Sequence, residues 1–277
     1  MRFGGPVFLD QPDPEAWIVE LKRLGYRAAY CPVDHSAAPD VTQSFVRAAQ
    51  AADIVIAEVG AWSNPLSRDD EERRNAITFC QNRLALAEEI GARCCVNIAG
   101  SRGEVWDGPH PDSLVADTFE LIVDTTRAII DAVQPTRTFF TLEPMPWMYP
   151  DGPESYLRLT HAIDRPHFAV HLDPVNWICS PQLYWGNGDF IRECFRTLGP
   201  YIKSCHAKDI TLGNTLTVHL DEVRPGLGSL DYVTLLHEME RLDPNTPFML
   251  ERLPNAQAYD AAAAYVRTVA QQEGVTL

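Results

Sequence analysis

The run Phe139-Phe140-Thr141-Leu142-Glu143-Pro144 decides how the rest of the chain is read. It is short and β-rich, and it ends in a carboxylate followed by proline. As a strand it alternates, with Phe140 and Leu142 on one face and Thr141 and Glu143 on the other. Pro144 biases Glu143 towards extended backbone, which presents the carboxylate at the strand's last position. The same construction returns as Phe168-Ala169-Val170-His171-Leu172-Asp173-Pro174, as Ile202-Lys203-Ser204-Cys205-His206 and as Phe248-Met249-Leu250-Glu251. Four consecutive strand-like runs therefore end in a residue able to bind a metal.

Working outward, turn and cap signals divide the chain into a repeating strand–helix pattern. Strands are expected over Phe3–Leu9, Arg27–Cys31, Asp53–Gly60 and Arg93–Ala99, and then as runs ending at Glu143, Asp173, His206 and Glu251. Between them, helices are expected from Asp13 to Gly25, from Val41 to Ala52 capped by Asp40, from Asp69 to Ile90 closed by Gly91, and from Asp112 to Val133. Later helices are expected over Pro153–Ala162, Gly188–Leu198, Leu230–Arg241 and Ala256–Gln271, with a hairpin across Thr215–Val223. Eight such units in 277 residues fit a single α/β domain, residues 1–277, folded as a (β/α)₈ barrel. A doubly wound open sheet is the alternative, but its glycine-rich phosphate loop has no counterpart here.

Bulk properties narrow the function. Hydrophobic content of 45% suits a globular core. A net charge of −15 opposes nucleic acid and anionic membrane as partners. No apolar run approaches the roughly 18–20 residues of a membrane span. The seven cysteines are an odd number without a CxxC pair, and read as reduced, mostly buried thiols of a cytoplasmic protein.

In a barrel, the C-terminal strand ends form the active-site face. Glu143, Asp173, His206 and Glu251 belong to adjacent strands and converge there. One such residue alone is most often a helix cap, a solvated loop residue or a satisfied core histidine. Four at matched parity in consecutive strands point to a metal, because three uncompensated carboxylates would repel one another. The set is dominated by hard oxygen donors and favours Mn²⁺, then Mg²⁺ or Co²⁺, with Zn²⁺ a further alternative. On the strand-to-helix loops, Trp62, Asn97, Trp147, Asn176 and Asp209 are candidate substrate contacts, with Tyr149 and Trp177 beside them. Lys208 is expected to pair with a neighbour, and Glu58, ending its strand, either to support the ligands from behind or to pair with an arginine.

Leu142-Glu143-Pro144, His171-Leu172-Asp173-Pro174, Cys205-His206-Ala207-Lys208-Asp209, the run Pro225-Gly226-Leu227-Gly228-Ser229-Leu230-Asp231-Tyr232 and Leu250-Glu251 together resemble the xylose isomerase-like barrels. That family includes ketose 3-epimerases, sugar-phosphate isomerase/epimerase-type proteins and inosose dehydratases, and the resemblance covers essentially the whole chain. It implies that Glu143, Asp173, His206 and Glu251 bind one divalent cation. It also implies that Glu143 and Glu251 are catalytic, moving a proton on and off the carbon next to a carbonyl. The activity implied is a metal-dependent isomerase or epimerase acting through an enediolate on a keto-sugar or polyol-derived substrate. A lyase of the same family, an inosose-type dehydratase or a cleaver of 3-oxo-glycosides, is the alternative, since it shares the first step. The implied partner is a small carbohydrate; a homo-oligomer is compatible with the sequence.

Two departures from the family pattern stand out. Ketose 3-epimerases place a histidine three residues after the aspartate ligand, where this chain has Asn176. They also carry an arginine soon after the histidine ligand, whereas Ile210–Thr217 has none and Arg224 comes later. Related DNA-repair endonucleases use three zinc ions and extra histidines, and the charge of this chain opposes DNA.

Overall fold

A computed structural model of the chain describes residues 1–10 and 13–277. Eight parallel strands close into a barrel: β1 (Arg2–Gly5), β2 (Ala28–Tyr30), β3 (Val55–Gly60), β4 (Cys94–Asn97), β5 (Phe139–Leu142), β6 (Phe168–Leu172), β7 (Ile202–Ala207) and β10 (Pro247–Leu250). Between β7 and β10, a separate antiparallel hairpin pairs β8 (Asp209–Leu212) with β9 (Leu220–Val223). Around the barrel run α1 (Pro14–Leu24), α2 (Pro39–Ala51), α3 (Asp70–Ile90), α4 (Ala116–Val133) and α5 (Pro153–Ile163). They are followed by α6 (Pro181–Trp185), α7 (Asn187–Leu198), α8 (Tyr232–Glu240) and α9 (Ala256–Glu273). No helix among the described residues is long and apolar enough to cross a membrane.

Helix boundaries follow cap chemistry. Asp13 accepts the Ala16 amide, Pro14 occupies the first turn and Gly25 closes α1 at φ 65°. Asp69 accepts the amides of Glu71 and Glu72, and Gly91 ends α3 at φ 73°. Where the sequence expectation misplaced a boundary, another residue took the cap. Pro39 opens α2 behind Ala38, which leaves Asp40 in the first turn as a dipole-favoured acid rather than the cap. Asp112 falls in a 3₁₀ turn, Pro111–Leu114, capped by His110, and its carboxylate pairs with Arg68; α4 starts four residues later. The hairpin begins at Asp209 rather than Thr215, and α6 was not anticipated.

The outward faces of the strands carry the main core. Phe140, Leu142, Phe168, Val170, Leu172, Phe248 and Leu250 are all buried there against the helices. Inside the barrel, Ala28, Ala57 and Met249 form a small fully buried layer. Gly4 is required beside it, because a Cβ at that position would lie 2.1 Å from the Ala28 carbonyl oxygen. At the opposite end, Tyr156 of α5 stitches β5 to β6. Its hydroxyl donates to Leu142 O at 2.6 Å and accepts from the amides of Leu142 at 3.1 Å and His171 at 3.3 Å. Those bonds fix the backbone immediately before Glu143 and Asp173. Tyr156→Phe leaves two buried amides without that acceptor and should cost about 1–3 kcal/mol, read as a lowered urea midpoint with unchanged slope.

Candidate functional site

Glu143, Asp173 and Glu251 each lie one residue past the end of β5, β6 and β10, and His206 is the penultimate residue of β7. One ligating atom from each lies within 4.8 Å of the others. His206 Nδ1 is 3.2 Å from Glu143 Oε1, 3.4 Å from Glu251 Oε1 and 3.7 Å from Asp173 Oδ2. Asp173 Oδ1 accepts the amides of Val175 and Asn176, so Oδ2 is the oxygen left facing the cluster. Asp173 Oδ2 and Glu251 Oε1 are buried without an aligned hydrogen-bond donor among the described residues. Three oxygens and an imidazole nitrogen form a set that could hold a divalent cation.

Beneath His206 lies a second polar layer. Glu58 is in the middle of β3, where a register shift against β2 turns it into the barrel beside Ala57. Its Oε1 accepts from Ser204 Oγ at 2.6 Å, and its Oε2 is 3.3 Å from His206 Nε2. Burial opposes its charge, but His171, His206 and the Ser204 hydroxyl outweigh burial and bring its pKa down to about 2. His171 stacks edge-on against His206 with ring centroids 4.0 Å apart. Burial, reinforced by His206, lowers the His171 pKa to about 4. His206 behaves oppositely: burial disfavours its charge, yet Glu251, Glu58 and Glu143 raise its pKa well above the ordinary value.

Lys208 does more than pair with a neighbour. Its ammonium is buried, 2.5 Å from Glu251 Oε1, 2.7 Å from Asp173 Oδ2 and 3.4 Å from Glu143 Oε1. These are the three oxygens that also face His206 Nδ1, so the lysine supplies positive charge to the same cluster. Its ammonium is also 3.5 Å from Glu222 Oε2 of β9.

Above the cluster opens a cavity of about 400 Å³, floored by Glu143 and Glu251 and walled by Tyr30, Trp62, Trp106, Met145, Arg252 and Tyr259. A second cavity of about 480 Å³ adjoins it across Met145 and Arg252, lined by Trp147, Asn176 and Glu222 among others. A larger groove, about 800 Å³, runs between Trp62, Trp106 and the start of α3 but includes none of the four clustered residues. Trp62 lines the first of these cavities and Trp147 the second. Asn176 lies closer in, its Nδ2 donating to Glu143 Oε1 at 3.1 Å and to Pro144 O at 3.0 Å.

Asn97 and Asp209 are placed differently. Asn97 is fully buried, accepting from the Ser63 amide and donating to Cys80 Sγ, which pins the loop that carries Trp62. Asp209 is committed to four backbone amides, those of Ile210, Gly226, Gly228 and Leu230, at 2.9–3.0 Å. Its carboxylate ties the loop after β9 to the barrel instead of facing the cavity. Tyr149 and Trp177 bond loop carbonyls, those of Leu114 and Pro150. Folding does not bring Arg224 to the cavity; its guanidinium donates to Pro225 O. The arginine at the wall is Arg252, held at φ 52°, a left-handed backbone that no sequence signal marked.

The chain matches the family model described as xylose isomerase-like TIM barrel over residues 18–269. By sequence it matches no curated protein. Its fold is similar to that of D-psicose 3-epimerase with D-tagatose from Clostridium cellulolyticum H10 (15% identity, 100% of each chain covered, TM-score 0.71). It is also similar to the probable 3-DHS dehydratase of petrobactin synthesis from Bacillus anthracis (16% identity, 97% of this chain and 98% of the other, TM-score 0.69). Endonuclease IV from Thermus thermophilus is another such fold (16% identity, 98% and 100% covered, TM-score 0.74). At these identities the likeness is one of fold.

Two outcomes follow from the electrostatics. In chelator, Lys208→Met leaves the carboxylate cluster without its ammonium and should cost about 3–5 kcal/mol, read by denaturant unfolding. As for pH, His171 binds its proton near 4 when folded and near 6.5 when unfolded. Between those values the unfolded chain holds more protons, so stability falls as pH falls, by about 3 kcal/mol in all. His171→Gln should remove that part of the acid slope, checked by unfolding at pH 7, 5.5 and 4.

Proposed function

Because the chain belongs to the xylose isomerase-like TIM-barrel family, we propose that it is a divalent-metal-dependent isomerase or epimerase. Its substrate is a keto-sugar or polyol-derived molecule, and the reaction runs through an enediolate. The observation that carries this reading is the placement of Glu143 and Glu251. Both line the cavity floor, and one oxygen of each also faces His206 Nδ1.

Glu143, Asp173, His206 and Glu251 would hold the cation, Mn²⁺ by preference for a mostly carboxylate set. When bound, it would polarise the substrate carbonyl and stabilise the enediolate's negative charge. The remaining chemistry falls to side chains. Burial raises the Glu251 pKa, which moves this carboxyl towards the range useful for accepting and returning a proton. Glu143 faces the same floor from β5, so one carboxylate can remove the carbon-bound proton and the other can deliver one to the opposite face. Asn176, at the position where ketose 3-epimerases have a histidine, donates to Glu143 Oε1 and so orients that carboxylate. Trp62, Trp106 and Trp147 offer flat apolar faces to a sugar ring.

One observation favours a lyase as the second reading. Glu222, whose carboxyl pKa is raised by burial, and Lys208 stand 3.5 Å apart beside the cluster, placed to protonate a departing hydroxyl. Endonuclease activity is disfavoured by the net charge of −15.

Asp173→Ala and His206→Ala should each empty the site of metal, measured by mass spectrometry of the purified proteins. Full metal occupancy in both would remove the ligand assignment. Glu251→Gln keeps a neutral oxygen ligand but loses the proton acceptor. It should hold metal while turnover and solvent-deuterium exchange into ketohexoses such as D-tagatose and D-fructose fall at least ~10²-fold. Exchange at the wild-type rate would make Glu251 a ligand alone. Exchange accompanied by loss of water in the wild type would replace the isomerase reading with the lyase.

A further inference from the structure

His206 offers two ring nitrogens to two different sets of neighbours. Nδ1 faces Glu143, Asp173 and Glu251, while Nε2 faces Glu58 Oε2 at 3.3 Å. Glu58 is 2% exposed and cannot bond water from the bulk. Its other oxygen already accepts a hydrogen bond of 2.6 Å from Ser204 Oγ. An ionised carboxylate only accepts, so the hydrogen bond to His206 requires the proton to be on Nε2. In a neutral imidazole that leaves the lone pair on Nδ1, the nitrogen that faces the three carboxylates. A protonated or amide side chain at position 58 could instead donate to Nε2. The ring proton would then be driven to Nδ1, and the ligand position would be blocked.

The ring cannot easily escape by rotating. His171, fully buried, packs edge-on against it at a centroid separation of 4.0 Å and an interplanar angle of 72°. His171 Nδ1 is 3.7 Å from Glu58 Oε1, so the same carboxylate also meets the clamping ring. Neither His171 nitrogen has a hydrogen-bond partner among the described residues. Shape therefore holds the His206 ring, while Glu58 decides which nitrogen carries the proton.

We propose that Glu58, braced by Ser204, is a positioning residue for the metal centre that fixes the tautomer in which His206 Nδ1 is free to bind a divalent cation. The proposal rests on the metal-dependent reading of the site and adds to it a residue from the far side of the barrel, on β3, that touches neither cation nor substrate. Carboxylates bonded to a ligating histidine in this way typically govern metal affinity by 10–100-fold.

The test uses the full chain and the metal alone. Mn²⁺ affinity is measured by competition with a fluorescent chelator for the wild type, Glu58→Gln and Ser204→Ala. The expectation is a 10–100-fold loss for Glu58→Gln and a smaller loss for Ser204→Ala. In parallel, ¹⁵N-histidine NMR of the wild type loaded with diamagnetic Zn²⁺ should place the His206 ring proton on Nε2. Wild-type protein that takes up no divalent cation overturns the metal reading itself. Wild-type protein that binds Mn²⁺, with Glu58→Gln binding it equally well, overturns only the role of Glu58. Should Glu58→Gln fail to fold, a Zn²⁺-loaded wild type with the His206 proton on Nδ1 overturns that role without any variant.

Discussion

Four carboxylates held against one imidazole set the terms for the rest of this barrel. Glu143, Asp173 and Glu251 crowd one nitrogen of His206, and Glu58 occupies the other. So much buried negative charge is unfavourable unless each oxygen meets a positive or hydrogen-bonding partner. The chain answers locally at every point. Lys208 supplies an ammonium, Asn176 an amide, Ser204 a hydroxyl, and two backbone amides complete Asp173. The two buried oxygens without aligned donors, Asp173 Oδ2 and Glu251 Oε1, lie where the cluster converges.

The surrounding architecture can be understood as what keeps these groups from drifting apart. Tyr156 fixes the ends of β5 and β6 from the helix side. Asp209 performs the same service for the next segment, since its four amide bonds begin one residue after Lys208 and reach across to Leu230. Gly228 is needed there, because a Cβ would sit 2.3 Å from both Asp209 Oδ1 and the Ile210 carbonyl oxygen. Helix caps, strand clamps and site residues are thus contiguous in the chain.

Much of this was legible from residue order, and the limits have physical causes. Period-2 alternation with leucine outward identified the strands before Glu143, Asp173 and Glu251, because a parallel barrel strand must bury its outer face. The same rule misplaced Glu58 at a strand end. A register shift puts both Ala57 and Glu58 inside the barrel, and no local composition announces such an irregularity. Asp173 and Asp209 look alike in sequence, each beside a chemistry-bearing neighbour. Only the loop that folds back over Asp209 shows that its oxygens are already occupied. Lys208 and Arg252 reach the site because of backbone course, Arg252 through a left-handed turn that favours glycine and was filled by arginine.

The alanine layer of the barrel interior bears on how the site is reached. Ala28, Ala57 and Met249 are fully buried below the cluster, and Gly4 brings β1 into direct contact with β2 beside them. No passage for a sugar runs through such packing. Whatever enters the cavity over Glu143 and Glu251 leaves on the same face of the barrel, the one that carries Trp62, Trp106 and Trp147. Under the proposed reaction, substrate and product would occupy one and the same site in turn, on one face of the barrel.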